Sequence, residues 1–301
     1  MTTTLLVAGA TGDLGRRIVR ELLGHDDVHV RVLTRPGSGT AADLFGDDDR
    51  VDVVTAAYDD HAALVAAARG VDVVVSAVSG VRDVVVDAQR ALLAAAVEAG
   101  VPRFMPSDWS ADYRSIAVDS NRNFELRREF AADVDAAPIR ATSVLNGMFT
   151  ELLTGDAPMI LFSRHRVLYW SSPDQLLDFT TKDDTARVAA LAALDPDAPR
   201  VVEIAGSTLS ARQVAEIMTE LTGTRFALQW AGTAGTLSAM SKIGRLVSRD
   251  ESATFPAWQG MQYFVSMFSG QAQLRHVDVD RWGPHEWTTV RDVLGAQVRA
   301  S

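Results

Sequence analysis

The 301-residue sequence contains no cysteine. Disulfides, thiolate metal sites and cysteine nucleophiles are excluded, although this alone fixes no compartment. No apolar run approaches the length of a membrane span, and no membrane partner is expected. Positive charge is short: 29 Lys and Arg stand against 39 Asp and Glu, for a formal net charge of −10. Such a chain repels nucleic-acid phosphates, so no nucleic-acid partner is expected. Histidine occurs 6 times and forms no HExxH motif, and no metal is expected. Internal repeats and low-complexity linkers are also lacking. Met1 leads directly into an apolar segment, which leaves no room for a signal peptide; the expectation is a cytoplasmic enzyme or binding protein.

What is present begins at the N-terminus. Thr4–Ala8 is a short apolar run, Gly9, Gly12 and Gly15 follow as GxxGxxG, and Ile18, Val19, Leu22 and Leu23 then recur at helical spacing. Buried strand, glycine turn and amphipathic helix in that order form a dinucleotide-binding signature. Gly9 permits the turn, Gly12 lets the backbone approach a pyrophosphate, and Gly15 lets the helix lie close on the strand. The opening N–H groups of the helix favour an anion. Thr11, Asp13 and Leu14 lie in the same turn and are cofactor-binding candidates with the glycines.

A second strand, Val28–Leu33, ends at Thr34-Arg35. At this position an acid would read a ribose 2′-hydroxyl, whereas an arginine accommodates a 2′-phosphate. Arg35 therefore favours NADP(H) over NAD(H); the alternative is a solvated loop arginine. A third strand (Val51–Ala56) leads to Asp59-Asp60-His61, read as a helix cap rather than a metal cluster. The apolar strand Val71–Ala77 ends at Ala77-Val78, expected beside the cofactor because ligands sit beyond the carboxyl ends of strands. A helix (Val84–Ala99), a strand (103–106) with Ser107, Asp108 and Trp109 at its end, a helix (Asn121–Val134) and a sixth strand (Ile139–Val144) complete the alternation. This is the pattern of an α/β, Rossmann-type doubly wound parallel sheet. The expected domains are 1–150 for the cofactor, with a return segment near 178–206, and a smaller C-terminal substrate domain from 151–177 and 207–301.

In the second half, Ser210–Leu221 is a helix capped by Ser210 and ended by Gly223. Gly232–Arg249 is rich in small residues and is expected to be mobile. Trp258, Met261, Phe264, Val265 and Phe268 share a helical face, either as core or as the roof over a flat apolar ligand.

GATGDLG at Gly9, VRVLTR ending at Arg35, DDHAALVAAARGVDVVVSAV from Asp59, Gln89, AGVPRFMPSDW from Ala99 and RWGPHEWTTVRDVL near the C-terminus together carry a resemblance. The chain resembles the NmrA-like and isoflavone-reductase-like atypical short-chain dehydrogenases over nearly its whole length. The resemblance implies NADPH binding and reduction of phenolic or other aromatic-linked compounds. Some members bind the dinucleotide and regulate partners without turnover, so a protein partner is implied in that case. The reductases keep a lysine in a Phe-x-x-Lys context. Here Phe124 matches the phenylalanine, Arg127 occupies the lysine position and Asn123 the tyrosine position of the wider superfamily. Arginine stays protonated at all working pH values, so Arg127 can polarise an oxyanion but not relay a proton. Arg127, Ser107 and Asn123 are the catalytic candidates. Ser107, Asp108, Tyr113, His165 and Tyr169 are proton donors by residue type alone. Asp108, Trp109, Met148, Phe149 and Met261 are substrate-side candidates, Met148 and Phe149 by the resemblance. The function expected is an NADPH-dependent reductase of a small apolar, aromatic carbonyl or enone; the alternatives are an NADP-binding sensor without turnover and non-redox chemistry on the same scaffold.

Overall fold

The computed structural model describes residues 2–155, 157–248, 252–278 and 280–300. The first part of the chain forms β1 (Thr3–Ala8), α1 (Asp13–Leu23), β2 (Val28–Thr34), α2 (Thr40–Phe45), β3 (Val51–Thr55) and α3 (His61–Ala68). Then come β4 (Val73–Ser76), a π-helical segment (Asp83–Ala88) running into α4 (Gln89–Glu98), β5 (Arg103–Met105), α5 (Arg122–Ala136) and β6 (Arg140–Ala141). The remainder gives β7 (Ser143–Leu145), β8 (Met148–Phe149), β9 (Ile160–Leu161), β10 (Arg166–Tyr169), β11 (Leu176–Thr180) and α6 (Lys182–Leu194). It ends with β12 (Val201–Glu203), β13 (Ser207–Ser210), α7 (Ala211–Thr222), β14 (Ala227–Trp230), α8 (Ala234–Ser248), α9 (Ala257–Phe268) and α10 (Val290–Ala300).

Two compact units result. The first comprises the chain through Trp109, Leu126–Val144 and Thr185–Val202; the second comprises Ser110–Glu125, Leu145–Asp184 and the chain from Glu203. Residues 110–125, expected with the cofactor domain, thus group with the second unit.

In the first unit the strands order as β3-β2-β1-β4-β5-β6, all parallel. The valine-rich sequences suit strands covered on both faces: Leu5, Leu6, Val7, Val30, Val32, Val74 and Val75 are fully buried. Burying each such side chain contributes roughly 1.5–3 kcal/mol. Phe104 of β5 meets Phe130 of α5 edge to face, with ring centroids 6.2 Å apart. Asp60 caps α3 by accepting from the Ala63 N–H at 3.0 Å.

The sixth strand differs from expectation. It breaks at Thr142: β6 pairs with β5, while β7 pairs with β12. The helix expected from Val84 also differs, because its first turns are π-helical.

In the second unit, Trp170 stacks on Phe264 at 5.0 Å and both pack with Phe268, Leu177, Phe179, Val214 and Met218. The aromatic stripe of α9 is therefore largely core. Ser210 and Gln213 form a capping box on α7, and Gly223 ends that helix. The stretch Gly232–Arg249 carries α8, whose Leu237 and Ser241 are buried; Arg249 lies outside the described residues. Small residues let α8 approach closely: a Cβ on Gly244 stands 3.2 Å from the Trp258 Cβ. Among the described residues no helix is long and apolar enough to cross a membrane.

A positive charge lies inside the first unit. Arg103 opens β5, is buried, and donates to the Ala192 and Ala193 carbonyls at 2.8 Å each. These belong to the last turn of α6, where unpaired carbonyls and the helix dipole favour a cation. Burial, and next the Arg140 charge, pull the Arg103 pKa below the ordinary arginine value. Arg103→Ala is expected to cost about 2–4 kcal/mol, since it strips two buried carbonyls of charged donors. A fall in the urea midpoint at unchanged slope is the check.

Candidate functional site: a glycine cradle and its supports

The strand order reverses direction between β1 and β4, the place where open parallel sheets bind ligands. Two segments meet there, Gly9 after β1 and Ala77-Val78 after β4. The Ala77 N–H donates to the Ala8 carbonyl at 2.8 Å. Gly9 has φ +78°, and a Cβ on it stands 2.6 Å from the Ala77 carbonyl oxygen. A Cβ on Gly15 stands 2.1 Å from the Gly9 oxygen. Both glycines are thus required by the protein's own backbone. Gly12 is different: a Cβ there meets only the Gly9 oxygen, at 3.3 Å. Its other side is open, and Thr11 and Gly12 are exposed.

Gly12 is also the N-cap of α1, with no side-chain hydrogen bond closing the helix end. Its own N–H donates to the Gly9 oxygen at 3.0 Å. The cradle therefore offers an anion the uncapped start of a helix beside a residue without a side chain. Asp13 and Leu14 are half-buried. The Asp13 carboxylate accepts from Arg16 at 2.8 Å and from Arg17 at 3.1 Å, which offsets its charge in the first turn.

Arg35 follows β2 and is exposed, without a carboxylate partner among the described residues. Tyr58, beyond the neighbouring β3, is half-buried. Burial pushes its phenol up, and the Arg35 charge pulls it down. Arg35 thus places a cation at the carboxyl edge of the sheet.

Ser107 follows β5 and is buried. Its hydroxyl donates to the Val78 carbonyl at 2.7 Å, and its N–H donates to Gln89 Oε1 at 2.9 Å. Asp108 and Trp109, expected to face substrate, are buried inside the first unit. Asp108 accepts from the Ser143 hydroxyl at 2.7 Å, and Ser143 accepts from Arg200 at 2.7 Å. The Trp109 indole donates to the Ser76 carbonyl at 3.0 Å. Both side chains fix the ends of β5 and β4; a polar residue after a strand can as readily be a strut as a ligand contact.

Asn123 lies in the first turn of α5 and is buried. Its amide donates to the Thr254 carbonyl at 3.3 Å and the Tyr263 hydroxyl at 3.2 Å, and accepts from Arg122 at 3.1 Å. It holds the helix start. Phe124 meets Tyr263 edge to face at 5.0 Å. Arg127 is half-buried one turn further on, not an exposed surface arginine.

Within the second unit, Met148 is buried in the core and Met261 packs partly buried against it. Phe149 is half-buried, with the Lys182 ammonium 5.9 Å from its ring. Tyr113 is buried; His165 stands edge-on to Phe226 at 5.2 Å; Tyr169 lies on β10. A small pocket opens between Gly147, Leu177, Asp178 and Met267, with room for about one water. Asp178 is not among the site residues that the sequence offers. Its carboxylate accepts from Thr208 at 2.7 Å and from the Leu274 N–H at 2.9 Å, and burial pushes its pKa up. Among the described residues no group of three acidic or histidine side chains is placed to hold a metal.

Comparison with known proteins adds to this geometry. Pinoresinol reductase 1 of Arabidopsis thaliana is 34% identical over 210 residues, which cover 64% of this chain and 65% of that protein. The chain thus spans just under two thirds of that relative. A bifunctional pinoresinol-lariciresinol reductase of Thuja plicata is 31% identical over 242 residues, covering 73% and 76% of the two chains. The solved structure of AtPrR2 with NADP+ and (+)pinoresinol superposes with a TM-score of 0.82 over 99% of both chains, at 24% identity, and so shares the fold. The model of the NmrA-like family matches residues 1–247. With the parallel sheet and glycine cradle in place and most of the chain covered, the protein belongs to the NmrA-like family.

Proposed function

We propose that this chain is an NADPH-dependent reductase of a small, largely apolar aromatic compound, a carbonyl or enone or a substrate akin to pinoresinol, on which its relatives are named to act. The observation that carries it is the glycine cradle at the reversal of strand order, where only Gly12 faces open space. A dinucleotide fits there: pyrophosphate against the uncapped start of α1, and Arg35 at the 2′-phosphate. The chemistry supplied by bound NADPH is hydride donation.

The chain's own residues set the rest. Arg127 holds a permanent positive charge, suited to polarising an acceptor oxygen as negative charge develops on it. It cannot return a proton, so that proton comes from a hydroxyl or from water. Asn123 is committed to the start of α5 and contributes position rather than proton transfer. A second reading is favoured by these same two residues: a dinucleotide-binding regulator that turns nothing over. NADPH binding with no reduction across a panel of aromatic carbonyls, enones and lignans establishes that reading instead.

Four variants test the assignments. Arg35→Ala is expected to weaken NADPH binding by about 10- to 100-fold, the worth of a charged hydrogen bond, with NADH binding almost unchanged. Equal losses for both cofactors remove Arg35 from 2′-phosphate recognition. Gly12→Ala is expected to fold within about 1 kcal/mol of the parent yet bind NADPH at least about tenfold more weakly, whereas Gly15→Ala is expected to lose about 1–3 kcal/mol through overpacking. Thermal melts with and without NADPH separate the two. Arg127→Lys is expected to raise kcat at least about tenfold by restoring a group able to relay protons. An unchanged rate means the position takes no part in the chemistry.

A further inference from the structure

The segment after β4 has an unusual support. Asp83–Ala88 is π-helical, and α4 begins at Gln89, whose side chain is almost wholly buried. Single π turns inside helices recur where a site needs a side chain or carbonyl redirected. Here the redirected side chain bridges two elements. Gln89 Nε2 donates to the Val85 carbonyl at 2.6 Å. Gln89 Oε1 accepts from the Ser107 N–H at 2.9 Å. The Ser107 hydroxyl then donates to the Val78 carbonyl at 2.7 Å. Four groups are thus linked in series: the π segment, the start of α4, the end of β5 and the end of β4.

We propose that Gln89 is a positioning residue of the cofactor cradle, holding Ser107 and through it the Val78 carbonyl in the one arrangement that receives the dinucleotide. The inference rests on the dinucleotide-binding reading above. Gln89 acts through its neighbours and does not touch the reacting atoms. Its amide suits the task because it both donates and accepts, and both ends are used. An apolar residue of similar size fills the space but leaves the Ser107 N–H and the Val85 carbonyl without these partners. Buried groups left this way find other arrangements, and the Val78 carbonyl is no longer held.

The test uses the full chain and NADP+. Dissociation constants are measured well below each variant's melting temperature, so that lost stability and lost positioning are read separately. Gln89→Met is expected to weaken NADP+ binding about tenfold, the worth of one or two neutral hydrogen bonds. Ser107→Ala breaks the next link, and the double variant is expected to bind no more weakly than the poorer single variant, because both act on one chain of bonds. Gln89→Glu supplies a pH readout. Burial raises its carboxyl pKa, and the protonated acid donates and accepts as the amide does. Its affinity should match the parent at low pH and fall as pH rises through that pKa, over a range where the parent is flat.

A Gln89→Met variant that binds NADP+ within about twofold of the parent, against the tenfold expected from lost hydrogen bonds, overturns the proposal. So do additive losses in the double variant. A melting temperature that falls while the dissociation constant stays fixed assigns Gln89 to stability alone and overturns it as well. A parent protein that does not bind NADP+ at all overturns the dinucleotide reading, and this inference with it.

Discussion

Three stretches of backbone crowd into one place in this protein. The end of β1, the end of β4 and the first turn of α1 come so close that two of the three glycines have no space for even a methyl group. The contact between Gly9 and Ala77 sets how the first crossover leaves the sheet. The contact between Gly15 and the Gly9 carbonyl sets how closely α1 lies on it. From these follow the direction of the helix start and the open space beside Gly12. Overpacked positions cost about 1–3 kcal/mol even where the structure can adjust. Backbone on backbone adjusts least of all, so the cradle's shape is set by exclusion more than by attraction.

Around this point the strand ends are tied by polar side chains rather than left as loops. Ser107 holds the end of β4, the Trp109 indole holds Ser76, and Asp108 accepts from Ser143, which in turn accepts from Arg200. Ser107, Asp108, Trp109 and Ser143 are buried, so their bonds face little competing water. A binding edge built this way spends little reorganisation on receiving a ligand, because its dipoles already point where the fold has fixed them. The start of α5 in the second unit is held by the same device, with Asn123 joined to Arg122, Thr254 and Tyr263.

The parallel sheet was legible because its signal is local and periodic: apolar runs, glycine turns and amphipathic helices in strict alternation. The glycines were legible because each has one steric reason to be there, and the capping of α3 by Asp60 and of α7 by Ser210 followed from residue type and place. Four things escaped. The π turn adds a residue to a helix without altering its composition, so periodicity misses it. The break at Thr142 depends on β12, some 60 residues later, a pairing no local window contains. Asp108 and Trp109 were read as facing substrate from their place after a strand, yet partners remote in sequence turn them inward. Arg103 is the sharpest case: its side chain is explained only by carbonyls about 90 residues downstream.

That arginine also orders the assembly of the chain in time. A guanidinium cannot be sealed into an apolar layer until its acceptors arrive, because an unpaired buried charge is costly. Its acceptors are the last carbonyls of α6, at Ala192 and Ala193. A ribosome that has delivered β1 through β5 has therefore produced a sheet whose fifth strand must stay wet. The first unit can close only after the intervening segments of the second have been synthesised. On a growing chain the two units are not made one after the other, as separate beads would be. They mature together, and the half-made sheet is the state most in need of protection from its neighbours.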